Sequence, residues 1–414
     1  METASPEPRL PWTLITVYLS TVLLGACVLQ FGPSRAIGNE MNFPSAVFAS
    51  VNAATLTGFH QTTDVNEYTA LGQCTIVLLT IAGAFLTMLI SSLAVVRILA
   101  LPYAFKSLLR AATICLVGVM LIGGVALYDT TGETAFDGII RGASAGLSAF
   151  ANSGTFLGTL HKITDWQTLG MLMPLALLGG VGLPVLMQLY DLLLHKKPIS
   201  AHSATVLNMT IGLYLACFVL FLIMQLNATP WTISSGDWLK DNWSKLQDVI
   251  ASSSVAAVNS RTAGLPFQYA SAFPRAMQWL LMLVMMIGAS PAGTGGGLKT
   301  TTVFELFRGT SRLVNSEQPG RGFGIALTWL GTYLLLLLVG LLMLLGCESK
   351  IPGDQLLFMA ISALSNVGLS HGQLAVSAGG NCILALIMLA GRFMPFLILL
   401  WMAQSTKEAD LAIG

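Results

Sequence analysis

The chain has 414 residues, of which 54% are hydrophobic and only 9% charged, with a formal net charge of +1. A soluble domain averages about 25% charged residues, so a mean hydropathy of +0.75 excludes an ordinary soluble fold and describes a chain built for lipid. The near-zero charge argues against a nucleic-acid partner, and six cysteines scattered through apolar runs, with no CxxC or Cys/His pairing, support neither a disulfide framework nor a metal site.

The stretch Met1–Pro11 is polar and lacks the basic start and small-residue cleavage site of a signal peptide, so the apolar run after it reads as a retained first span. Spanning a bilayer takes about 20 mostly apolar residues. Runs of that kind fall at roughly 12–32, 71–96, 110–128, 166–194, 205–226, 277–304 (interrupted), 322–346 and 379–405. Each successive pair encloses a shorter mixed run, such as 43–54 or 354–364, followed by a small-polar strip closed by glycine. The strips read Thr55-Leu56-Thr57-Gly58, Ala151-Asn152-Ser153-Gly154, Arg261-Thr262-Ala263-Gly264 and Ser365-Asn366-Val367-Gly368.

The shorter runs cannot cross the bilayer and read as re-entrant helices, with Asp137 and Asp354 in first turns where the helix dipole favours a carboxylate. The expected architecture is an all-α polytopic membrane protein of about eight transmembrane helices and four re-entrant pore helices around one central pore. Its four tandem span–pore helix–span repeats fall approximately at 12–96, 105–194, 203–311 and 320–406, within a single pseudo-fourfold domain over 1–414.

Charge orients this arrangement. The connections leading into the short helices carry Asp64, Glu67, Asp129, Glu133, Asp165, Asp237, Asp241, Glu348 and Asp354. The opposite connections carry Arg97, Lys106, Arg110, Lys196, Lys197, Arg308, Arg312, Arg321 and Lys407, and basic loops stay cytoplasmic. The strips then face the outside, behind an acidic mouth that raises local cation concentration. His60, His161 and His371, just beyond three of the strips, read as solvated loop residues.

Non-helical backbone survives at membrane depth only when it is buried in protein or lines a wet cavity. Four such strips brought to one axis supply a ring of carbonyls that can replace the hydration shell of a monovalent cation. Glycine permits the positive φ angles that turn consecutive carbonyls inward. The expected ion-binding residues are Thr55, Leu56, Thr57, Gly58, Asn152, Ser153, Gly154, Thr262, Ala263, Gly264, Asn366, Val367 and Gly368.

A second unusual segment, Gly288 to Thr302, interrupts the sixth span with Ser290, Pro291, Gly293, Thr294, Gly295, Gly296 and Gly297, then Lys299. A phosphate-loop reading fails, because Leu298 precedes the lysine and the segment follows a membrane helix instead of a strand. No helix persists through so many glycines and a proline, so the span breaks in mid-bilayer, either as a packing kink or as a segment that obstructs the conduction path. Arg392, midway along the last span, has no acidic partner in its own helix and is expected to meet this loop's carbonyls. Arg261 is expected to tie down backbone beside its strip, and Arg141 to brace or snorkel.

These strips, the segment Ser290-Pro291-Ala292-Gly293-Thr294-Gly295-Gly296-Gly297-Leu298-Lys299-Thr300-Thr301-Thr302 and the Gly391-Arg392 pair resemble the Trk/Ktr/HKT superfamily of potassium translocation subunits, over essentially the whole chain. Eight spans without an extra N-terminal pair look most like the bacterial Ktr-type subunit. The resemblance implies potassium uptake across the plasma (inner) membrane of a prokaryote, with K+ the transported ion, Na+ a modulator and no covalent cofactor. It implies a homodimer partnered by a cytoplasmic nucleotide-binding regulatory ring. It places Gly58, Gly154, Gly264 and Gly368 on the filter glycines and Gly288 to Thr302 on the intramembrane gating loop, with Arg392 beside it. Glycine at all four positions implies potassium selectivity. Thr155 after the second strip, and Ala-Gly-Thr-Gly-Gly-Gly in the loop, depart from the family pattern. Two alternatives stay open: a secondary transporter coupled to a cation gradient, and a potassium-binding subunit of an ATP-driven pump. Neither they nor the favoured reading makes the chain an enzyme.

Overall fold

The computed structural model describes residues 10–31, 42–59, 65–129, 131–132, 134–232, 238–372 and 376–405; His60, Asp64, Glu133, Asp237 and Lys407 lie outside them. The described chain is helical, with no strand beyond a single isolated bridge between Ile287 and Leu298. The helices are α1 (Leu10–Phe31), α2 (Phe43–Ala54), α3 (Ala70–Ile98), α4 (Phe105–Ala126), α5 (Ala135–Ala151), α6 (Met173–Val181) and α7 (Leu183–His195). They continue with α8 (Ala201–Ala228), α9 (Trp238–Val258), α10 (Arg275–Met286), α11 (Thr300–Val314), α12 (Arg321–Cys347), α13 (Gly353–Leu364) and α14 (Ala378–Ser405). This is an all-α polytopic membrane protein.

Six helices (α1, α3, α4, α8, α12 and α14) are long and apolar enough to cross a bilayer. Their exposed Leu, Ile, Val and Trp side chains are what a lipid-facing surface requires. The sixth apolar run breaks between α10 and α11, at the glycine-rich segment. The fourth run, expected as one span over 166–194, is broken. It opens with a π turn (Thr168–Leu172) and bends by 106° between α6 and α7. The cause is written in Gly179-Gly180-Val181-Gly182-Leu183-Pro184: Gly182 takes φ 99, and Pro184 cannot donate to the turn before it. A side chain at Gly182 would lie 2.8 Å from Pro291 O and 3.0 Å from Gly293 N, so the bend makes room for the broken sixth span.

The short helices are capped where they begin. Asn42 Oδ1 accepts from Ser45 N (3.0 Å) at α2, and Thr134 Oγ1 accepts from Asp137 N (3.1 Å) at α5. Asp137 and Asp354 lie in the first turns of α5 and α13. α9 is longer than its counterparts because a polar outer turn extends it, with the Asn242 side chain bonded to both N and O of Thr232 at 2.9 Å.

Where the short helices end, glycines let the following span approach. Gly83 of α3 abuts Ala54 O, Gly179 of α6 abuts Phe150 O and Gly391 of α14 abuts Leu364 O, so closely that any Cβ would collide. Those carbonyls belong to the residues four before Gly58, Gly154 and Gly368, so one contact recurs at the same position three times. Small residues allow this approach where lipid supplies no hydrophobic drive between helices. The same economy packs α4 on α5, with a Cβ at Gly123 lying 2.8 Å from Gly142 O and 3.0 Å from Gly146 Cα.

Within α5, Arg141 acts as the expected helix brace and does not snorkel. It pairs with Asp137 (2.9 Å) and approaches Asp129 (3.9 Å). Asp129 also accepts from Thr131 N (2.8 Å), Thr131 Oγ1 (2.7 Å) and Thr159 N (3.3 Å). Burial pushes its carboxyl up, but these donors and the guanidinium outweigh it and hold the group below the usual carboxylate range. Its contribution to stability is therefore present at neutral pH and is lost as pH falls through that depressed range. Asp129→Asn should lower stability in detergent by about 1–2 kcal/mol at pH 7, measured by thermal unfolding, and the gap to wild type should close in acid.

Candidate functional site

The four strips converge. A side chain at Gly58 would strike Ser153 O and lie 3.0 Å from Gly154 Cα; one at Gly154 would meet Gly264 O at 2.6 Å. One at Gly264 would strike Val367 O, and one at Gly368 would strike Thr57 O. Each strip thus touches the next in chain order and the last returns to the first, which closes a ring. Across it, a Cβ at Gly264 would stand 3.0 Å from Thr57 O, so the ring is tight.

Backbone geometry explains the shape. Left-handed residues alternate in three strips: Leu56 (φ 59) and Gly58 (φ 83), Asn152 (φ 54) and Gly154 (φ 64), Asn366 (φ 49) and Gly368 (φ 77). Alternation of this kind turns successive carbonyls toward one side. The third strip reaches the same place differently, through a π turn over Asn259–Ala263 that ends at Gly264 (φ 54). For Thr262 and Ala263 only the backbone is described. A left-handed Leu costs about 1–2 kcal/mol, and Leu56 is held there by full burial and by Thr57 N donating to Asn52 O (3.1 Å).

Polar residues inside the short helices clamp each turn from behind. Asn52 Nδ2 donates to Phe59 O and Asn52 Oδ1 accepts from Phe59 N, both at 2.9 Å. Asn259 Nδ2 donates to Leu265 O and Ser362 Oγ donates to Leu369 O, both at 2.8 Å. The second strip uses hydroxyls: Thr155, the departure from the family pattern, bonds Ser153 Oγ (3.0 Å) and Thr80 Oγ1 of α3 (3.1 Å). Strips one and four are also joined, by Asn366 Nδ2 to Thr57 Oγ1 (3.0 Å). Tyr18 donates to Ala54 O, and Tyr333 shares a 2.6 Å bond with Ser365 Oγ. Sequence reasoning missed Asn52, Asn259, Ser362, Tyr18 and Tyr333; for the clamps the visible signal was a polar Asn or Ser five or six positions before each glycine, at 52, 148, 259 and 362.

The segment from Gly288 to Lys299 folds back against this ring as a buried loop, a hairpin in its course although its ends bridge in parallel, Ile287 with Leu298. Gly288 N donates to Leu298 O (3.0 Å), Leu298 N to Met286 O (2.9 Å) and Ala289 N to Gly296 O (3.2 Å). Ser290 N and Thr294 N donate to Gly180 O (3.0 Å) and Gly179 O (3.1 Å) of the bent fourth span, while Ser290 Oγ accepts from Thr300 (3.1 Å). It touches every strip or its flank. Thr294 meets Phe150 and Asn152, Gly296 abuts Ser365 O, and Gly288 O accepts from Arg261 Nη2 (3.2 Å). Arg392 bridges the remaining side, donating through Nη1 to Thr294 O (2.6 Å) and through Nη2 to Thr55 O. Lys299 Nζ turns back onto Gly295 O (2.8 Å). Pro291 stays half-buried, while Gly293, Gly295 and Gly297 (φ 70) are buried; a Cβ at Gly293 would strike Gly180 O, and one at Gly297 would lie 2.9 Å from Gly288 N.

Arg261 and Arg392 are 4% and 2% exposed, and neither guanidinium meets a carboxylate among the described residues; each donates through Nη1 and Nη2 to carbonyl oxygens, while its Nε is buried without a partner. Among the described residues, no group of three or more His, Cys, Asp or Glu could hold a metal. His161 and His371 lie away from the ring glycines, with His371 Nε2 3.1 Å from Gln278 Oε1. The site therefore offers uncharged oxygens around an axis and no nucleophile or acid–base pair.

The model of the family described as "TrkH: Cation transport protein" matches residues 26–408. The chain is 25% identical to "Ktr system potassium uptake protein B" of Bacillus subtilis, covering 96% of this chain and 94% of that one. It is 24% identical to "Potassium/sodium uptake protein NtpJ" of Enterococcus hirae, over 90% of this chain and 88% of that one. Among solved structures, the potassium transporter TrkH from Vibrio parahaemolyticus superposes with a TM-score of 0.68 at 18% identity, covering 96% of this chain and 85% of that one, a likeness of fold. With the match running nearly end to end, the chain belongs to the TrkH family of cation transport proteins, and is a transporter, not an enzyme.

Proposed function

We propose that this protein takes up potassium through the ring at Gly58, Gly154, Gly264 and Gly368, with the Gly288–Lys299 hairpin as the barrier beneath it. The observation that carries this reading is the closed circuit of contacts, in which each glycine leaves room for a carbonyl of the next strip. Carbonyl oxygens without formal charge suit a monovalent cation stripped of water. A relative named for potassium uptake aligns over 96% of this chain. The order of long helix, short helix, glycine strip and second span or broken span occurs four times, which supports four tandem repeats around one pore.

The basic residues Arg97, Lys106, Arg110, Lys196, Lys197, Arg308, Arg312 and Arg321 sit at the ends of helices opposite the strips' outer mouth, which supports a cytoplasmic placement for that side in a prokaryotic plasma membrane. We also propose a homodimer and a separate cytoplasmic nucleotide-binding ring as the working assembly. The name of the Enterococcus relative makes sodium the cation to test against potassium.

The decisive experiment is uptake of radioactive rubidium into liposomes holding the purified protein, competed with potassium, sodium and lithium. Potassium should compete far better than the other two; equal competition removes the reading. Gly58→Ser places a side chain against Ser153 O at a left-handed φ, at a cost on the order of 1–3 kcal/mol. It should weaken discrimination against sodium about tenfold, the factor that 1.4 kcal/mol represents. Shortening the hairpin between Pro291 and Gly297 should raise uptake severalfold in the same assay, and unchanged uptake counts against a barrier there.

A further inference from the structure

One residue of the hairpin is bonded to the second strip and, through Arg392, linked to the first. Thr294 is fully buried, and each of its polar groups has a partner outside its own segment. Its hydroxyl donates to Phe150 O (3.1 Å) and accepts from Asn152 Nδ2 (2.7 Å). Phe150 O belongs to the last turn of α5, and Asn152 is the left-handed residue of the second strip. The Thr294 carbonyl accepts from Arg392 Nη1 (2.6 Å), whose Nη2 donates to Thr55 O at the head of the first strip. The Thr294 amide donates to Gly179 O (3.1 Å).

These bonds fix orientation as well as position. Asn152 Nδ2 also lies 3.5 Å from Phe150 O, so a reversed amide would set oxygen against oxygen. Asn152 is completely buried, so loss of the Thr294 hydroxyl leaves its amide donor and the Phe150 carbonyl with only their own 3.5 Å contact. The fourth strip is held otherwise, by Asn366 Nδ2 on Thr57 Oγ1 and Met388 O (both 3.0 Å) and by Tyr333 on Ser365. Displacing the hairpin therefore takes the Thr294 bonds from the second strip, and from Arg392 the partner that steadies it on Thr55 O, while the bonds of strip four remain.

From this geometry we infer that Thr294 is a positioning residue for ion discrimination: seated in the closed hairpin, it sets the register of the Thr55 and Asn152 strips, so the hairpin governs selectivity as well as flux. The inference rests on reading the ring as the filter and the hairpin as the barrier. It requires Thr294 to keep its bond to Asn152 while ions pass, the rest of the hairpin supplying the barrier.

The test uses the full-length protein in liposomes, with rubidium uptake competed by potassium and by sodium. Thr294→Val keeps the shape and removes the hydroxyl. The ratio of sodium to potassium concentrations giving half-inhibition should fall about tenfold, and Thr294→Ser should restore it. A purely structural role would change total uptake and leave that ratio alone. A wild-type ratio in Thr294→Val, at any level of flux, overturns the inference. If that variant does not reach the membrane folded, Thr294→Ala and Thr294→Cys are read in the same way, and a wild-type ratio in either overturns it. If the wild-type protein itself fails to distinguish potassium from sodium, the filter reading falls first and takes this inference with it.

Discussion

A helix that stops at membrane depth leaves its last carbonyls without donors, in a place where water is scarce. Much of this molecule follows from how those oxygens are satisfied. Gly83, Gly179 and Gly391 bring the following span close behind Ala54 O, Phe150 O and Leu364 O. Tyr18, Arg392 and Thr294 then supply donors to Ala54 O, Thr55 O and Phe150 O. Carbonyls further along are swung round by the left-handed residues and are left for the axis. The ring is what remains after the rest have been paired.

The buried guanidinium groups fit the same account. A charge at this depth is costly unless it is heavily bonded, and the C-terminal end of a helix is one of the few uncharged partners that favour a cation. Arg392 caps the end of α2 and reaches the hairpin, so it joins two elements that nothing else in their own sequence would hold together. Arg261 does the same between its own strip and Gly288 O, with Thr210 O as a longer third contact (3.4 Å). Both spend their terminal Nη donors on backbone oxygens, and each leaves its buried Nε unpaired.

The sequence alone carried the all-α membrane class, the placement of six continuous spans, the break in the sixth and the glycine-closed strips. These are local properties: hydropathy over twenty-odd residues, or glycine where a helix should continue. The bend in the fourth span was also local, in Gly179 to Pro184, but high hydropathy across 166–194 masked it. The ion pair from Arg141 to Asp137 was legible as an i, i+4 pair. What spacing could not give was the partnership of residues far apart in the chain. Thr294 with Phe150, Asn366 with Thr57, and Arg392 with Thr55 are separated by 144, 309 and 337 positions, and each depends on packing of spans that carry no pairing signal of their own. The clamps Asn52, Asn259 and Ser362 were readable in principle, as polar residues in helices otherwise buried in apolar company.

The four corners of the ring are built from different parts: a tyrosine and a guanidinium at the first, hydroxyls at the second, a π turn with its own arginine at the third, an amide and a tyrosine at the fourth. In an assembly of identical subunits, one amino-acid change is imposed on every quadrant together. A pore written along one polypeptide escapes that rule, so a mutation alters a single quadrant and leaves the other three as they were. Evolution can therefore retune such a ring in quarter steps, through intermediates a symmetric tetramer has no means of visiting.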